Sequence, residues 1–134
     1  MLIGVNIKNE YLVKSAFEVV PSLIFDCENC VNLHRFSEYY DLFENVYVLE
    51  VELLYKFRKA VKQIPKYQKK LSVKRVVITN FRHLFDHGCI DERVDVLEDA
   101  WSNLKKVSRD IEVIIGIQGI LQRSIALRYC DKVL

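Results

Sequence analysis

Short β-rich apolar runs alternate with stretches of helical period along the chain, and this alternation is what most limits how it can fold. Leu2–Ile7, Leu23–Phe25, Val46–Val51, Val76–Ile78 and Val113–Ile117 read as strands. The terminal "DKVL" would start a sixth. Between them the spacing predicts helices. Asn9–Val20 puts Leu12, Ala16, Phe17 and Val20 on one face and stops at Pro21. Leu33, Phe36, Tyr40 and Phe43 give a second helix its stripe. Phe57, Val61 and Ile64 mark a third, which Pro65 ends or kinks. Asp91 suits the N-cap of a long helix carrying Val94, Leu97, Trp101, Leu104 and Val107, with Glu92 and Asp95 matched to its dipole. A last helix runs from about Ile120 to Tyr129.

Strict β-α alternation implies an α/β fold: a three-layer sandwich, with a mostly parallel sheet of five to six strands and helices on both faces. The second strand is apolar on both faces, as a central parallel strand should be. A chain of 134 residues fits one α/β domain, 1–134. With 4 Gly and 2 Pro it has no linker and no low-complexity segment. No apolar run approaches the roughly 20 residues that span a bilayer, and "MLIGVNIKNE" lacks the marks of a signal peptide. A cytoplasmic chain with no membrane partner is expected. Its 4 cysteines then read as thiols or metal ligands before disulfides.

Net charge is only +2, but it is unevenly spread. Tyr55–Arg75 holds nine Lys or Arg and no acid, while Asp86–Asp99 holds six acids and one Arg. Lys56, Arg58, Lys59, Lys62, Lys66, Lys69 and Lys70 are interleaved with Tyr55, Phe57 and Tyr67. Cations can contact phosphates and an exposed ring can stack on a base, so single- or double-stranded DNA is a candidate partner. The competing reading is a solvated helix face.

Two further clusters carry possible chemistry. Cys27, Cys30 and His34, and His83, His87 and Cys89, have ligand types and spacings that zinc accepts. Against this, Cys is often a small core residue. Asp26, Glu28 and Asp86 could hold Mg²⁺ for phosphate-ester hydrolysis, although acids at strand-to-helix turns more often cap helices. No nucleophile elbow, Ser-His-Asp order or glycine-rich fingerprint supports an enzyme.

"SLIFDCENCVNLHR" (Ser22–Arg35) resembles the segment of RecA/RadA-type recombinase ATPases in which a strand ends in Asp-x-Glu-Asn. "LFENVYVLEV", "VKRVVITNFRHLF" and "DERVDVLEDAWSNLKKVSRDIEVIIGIQ" are similar to later elements of that family, in register over roughly Leu2–Leu134. The resemblance implies a RecA-like strand order, with a flavodoxin-like order as the alternative. In the first, strands two and four are neighbours; in the second they lie apart. It makes Glu28 the counterpart of the water-activating Glu and Gln118 that of the sensor Gln. The phosphate loop is degenerate. Gly4 is kept, but Asn9, Glu10 and Tyr11 stand where Gly, Lys and Ser/Thr would be. Thr79 replaces the Mg²⁺-ordering Asp. The resemblance therefore implies a non-catalytic accessory member of the family with no cofactor and with ATP hydrolysis lost, acting through DNA and/or protein contacts in DNA recombination or repair. It also implies head-to-tail contact with a second copy or an active ATPase paralogue. The basic and acidic segments are complementary in sign for such a contact.

Overall fold

The strand Ser22–Asp26 (β2) is buried at every position, and the rest of the molecule is arranged around it. The computed structural model describes residues 1–85 and 90–134, apart from the side chains of His83, Phe85, Ile90, Asp91 and Glu92. Six parallel strands form one sheet in the order β3-β2-β4-β5-β1-β6. They are β1 (Leu2–Val5), β2, β3 (Val46–Glu50), β4 (Arg75–Ile78), β5 (Glu112–Gly116) and β6 (Lys132–Val133). β2 pairs with β4 in register from Ser22↔Arg75 to Phe25↔Ile78. Strands two and four are thus neighbours, and the flavodoxin-like order, which separates them, is not adopted.

The period-two alternation sends successive side chains to opposite layers. Leu2, Leu23, Phe25, Val76, Ile78, Val113 and Ile115 face the larger core. The helices α2 (Leu54–Lys62), α3 (Ile64–Leu71), α4 (Ile90–Val107) and α5 (Ile120–Tyr129) close it. Val5, Ile24 and Val77 face a smaller core under α1 (Asn9–Ala16) and a 3₁₀ segment, Leu33–Asn45. The expected sandwich with helices on both faces is therefore present.

Several boundaries differ from the sequence reading. α1 ends at Ala16, with Phe17 as its C-cap. The expected second α-helix is 3₁₀, broken by non-helical backbone at Phe36 and Tyr39. Leu33, Phe36, Tyr39 and Leu42 pack on the smaller core, a spacing of three that matches 3₁₀ geometry. Phe17 is the anchor, its ring stacked on Tyr39 at 4.9 Å. Tyr39 therefore takes the inward place assigned to Tyr40, which is 73% exposed. Pro65 restarts a helix instead of only ending one: it sits at the start of α3, where its missing N–H is not needed. α4 begins at Ile90, so Asp91 lies inside it and is not its cap.

β6 is short, and Asp131 ties it down. Asp131 Oδ2 accepts from the Leu2 N–H at 2.7 Å and Oδ1 from Lys105 Nζ at 2.8 Å. The Lys105 bond, then the Leu2 N–H, hold this carboxyl below its usual range. A depressed carboxylate stabilises the fold above its unfolded pKa and stops doing so as pH falls through the folded value. Wild type and Asp131→Asn should thus differ in urea stability near neutrality and converge as pH drops below about 4.

Candidate functional site

In parallel sheets of this kind ligands bind at the carboxyl ends of strands, so those ends are the first place to look. The β1–α1 connection is Asn6, Ile7 and Lys8 only. The phosphate-wrapping motif runs about eight residues from its first Gly through its Lys-Ser/Thr pair. Here Gly4 belongs to β1, paired with Ile115, and is not part of a loop. A Cβ there would stand 3.2 Å from Cys130 Sγ and 3.6 Å from the Ala126 Cβ, so Gly4 serves the packing of α5. Glu10 and Tyr11 are exposed on α1.

Asn9 turns inward to other side chains. Its Oδ1 accepts from the Asn80 N–H and from Asn80 Nδ2, both at 2.9 Å. Its Nδ2 donates to Glu28 Oε2 at 2.6 Å. Asn80 Nδ2 also donates to the Ile7 carbonyl at 3.3 Å. Gly116 makes room for this amide, since a Cβ there would stand 2.8 Å from Asn80 Oδ1. The positions equated with phosphate loop, Walker B strand and catalytic Glu are thus joined directly to one another.

Thr79 and Asp26 are committed to the scaffold. Buried Thr79 Oγ1 accepts from the Cys27 N–H at 2.8 Å and donates to the Phe25 carbonyl at 3.3 Å, tying β4 to the end of β2. Thr79→Val should cost about 1–3 kcal/mol in denaturant unfolding, because it leaves a buried N–H without a partner; Thr79→Ser should cost less. Asp26 is 3% exposed. Its Oδ1 accepts from the N–H groups of Glu28 and Cys30 and from Cys30 Sγ, and its Oδ2 from the Val31 N–H. Asn29 takes a left-handed backbone, φ 51°, a conformation Asn tolerates well. Turn chemistry accounts for Asp26 and Asn29, while Glu28 is held by Asn9 and the Cys27 N–H by Thr79. Asp86 lies outside the described residues, and Asp26 has both oxygens occupied.

The zinc expectation meets similar chemistry. Burial, then the Asp26 charge, pushes the Cys27 thiol far up. The same causes raise Cys30 to about 11. Cys27 is buried and His34 exposed, so that trio is divided between core and surface. His87 and Cys89, and the side chain of His83, lie outside the described residues. Among the described residues no three His, Cys, Asp or Glu are placed to hold a metal. Gln118 follows β5, and its N–H donates to Gln122 Oε1 at 2.8 Å. β4 separates β5 from β2, so Gln118 and Glu28 are not on adjacent strands.

The basic segment divides in two. Arg58 and Lys62 face Asp99 on α4, at 3.9 and 3.0 Å, and the Lys62 bond lowers the Asp99 pKa. Arg75 is buried, bonded to the Ser15 carbonyl and paired with Glu18 and Glu112. The sign complementarity of the basic and acidic segments is therefore partly spent within one molecule. Lys56 and Lys59 on α2, and Lys66, Lys69 and Lys70 on α3, are exposed with no ion pair among the described residues. The spacing 66, 69, 70 puts the last three on one helical face. Of the interleaved aromatics, Phe57 is buried, Tyr67 half-buried and Tyr55 56% exposed.

Comparison with known proteins finds no matching family model and no matching curated protein. No helix among the described residues is long and apolar enough to cross a membrane.

Proposed function

We propose that this chain is a non-catalytic accessory protein with a RecA/RadA-like core, working by contact with DNA or with a partner protein in recombination or repair. The observation that carries this reading is the Asn9 bridge. Where the resemblance places nucleotide and Mg²⁺, Asn9 holds Asn80 and Glu28 together. A triphosphate would meet no glycine-rich cradle of backbone N–H groups, no lysine at the motif's spacing and no carboxylate at Thr79 to order a metal. Five exposed lysines without an ion pair among the described residues lie on α2 and α3. A metal-dependent phosphoesterase is the weaker reading, because the turn backbone already occupies Asp26.

The reading is tested by calorimetric titration of the full chain with ATP and Mg²⁺. It expects no saturable heat and no nucleotide-dependent rise in melting temperature. Tight, saturable binding would overturn it.

A further inference from the structure

We propose that the segment Leu33–Asn45 is a two-state element, exchanging between the 3₁₀ form and an α-helix that turns Tyr40 in and Leu42 out. The 3₁₀ form runs over 13 residues, broken at Phe36 and Tyr39. Runs beyond three or four residues are uncommon, because 3₁₀ hydrogen bonds have the poorer geometry. The sequence itself suits an α-helix. It holds no Gly or Pro, and Asn32 caps its start by accepting from the His34 N–H at 3.1 Å. No residue of the segment is fully buried, so a change of period opens no hole in a close-packed core. Among the described residues no ion pair pins it.

The two periods select different residues. In the 3₁₀ form Leu33, Phe36, Tyr39 and Leu42 recur every three and pack on the smaller core. An α-helix turns about 100° per residue, which puts Leu33, Phe36, Tyr40 and Phe43 within about 80° of one another and Leu42 about 180° from Leu33. Tyr40 stands close to that second place. Its ring lies 5.5 Å from Phe43, and Phe43 lies 5.8 Å from Phe17. The α form is also about 6 Å shorter, since it rises about 1.5 Å per residue against about 2.0 Å. β3 begins at Val46, directly after the segment, and its register fixes it to β2. The turn from Asp26 to Asn32 therefore takes up the difference. Asp26 holds three N–H groups of that turn, and Glu28 within it holds Asn9. A change of period on the outer layer thus pulls on the Asn9 bridge at the carboxyl end of the sheet. The inference rests on packing alone and stands whether or not the chain contacts DNA.

Nuclear magnetic resonance of the full chain tests it, with two variants at positions that are not fully buried and so spare the fold. In wild type, relaxation dispersion should show microsecond-to-millisecond exchange in Leu33–Asn45 and in the turn before it, and not in the central strands. Tyr40→Gln removes the side chain that only the α form turns in. It should abolish the exchange and keep the contact between the Tyr39 and Phe17 rings. Leu42→Gln removes one that only the 3₁₀ form turns in. It should bring the Tyr40 ring into contact with Phe17 and raise helical circular dichroism. A wild type without exchange in the segment, exchange that Tyr40→Gln leaves unchanged, or a Leu42→Gln chain that keeps Tyr40 exposed would overturn the proposal.

Discussion

Trp101→Ala should lower the unfolding free energy by about 3–5 kcal/mol, the range for emptying a large aromatic site in a close-packed core. Trp101 is fully buried. It lies 6.2 Å from the Phe81 ring and 6.1 Å from Tyr129, so it joins α4 both to the end of β4 and to α5. Among the described residues its indole Nε1 has no hydrogen-bond partner. Trp101→Phe should therefore cost much less than the alanine change. It loses ring volume but also removes a buried donor that makes no bond. Urea unfolding followed by far-ultraviolet circular dichroism reads both, and is needed because Trp101 is the single tryptophan. A loss as large for Phe as for Ala would mean that the indole N–H is bonded after all.

The second large effect concerns the free lysines. Reversing Lys66, Lys69 and Lys70 to Glu should abolish binding to a labelled single-stranded oligonucleotide at moderate salt. All three are exposed on one face of α3, and none holds another element in place, so the fold should survive. Changing the same residues to Gln is the gentler version. It should lower the slope of log affinity against log salt by about 2, since each single-strand phosphate contact contributes about 0.7. Arg58 and Lys62 are the control. They already face Asp99, so their replacement should weaken oligonucleotide binding less and disturb the α2–α4 contact more. Equal effects from the two sets would mean that the charge acts only in bulk.

The order of elements was legible because β-α alternation and period-two burial leave few arrangements. β2 announced its central place by being apolar on both faces. The 3₁₀ segment was misread because Tyr39 and Tyr40 fit two neighbouring periods, and only contact with Phe17 chooses between them. The basic run looked uniform in the sequence, yet Arg75 faces Glu18 and Glu112 across 57 and 37 residues. Pairing at that range leaves no local mark. Asp26 could have been recognised as a turn staple, since an Asp followed by a short polar turn commonly accepts the backbone N–H groups beyond it. The bridge from Asn9 to Asn80 spans 71 residues, and the residue types alone do not reveal it.

Action by contact is tested most directly by oligonucleotide binding of the wild-type chain across a salt series. The predicted result is saturable binding whose log affinity falls linearly with log salt, by about 0.7 for each phosphate engaged. Absence of binding at low salt would contradict it for DNA and leave protein contact as the only route by which the proposed accessory role could operate.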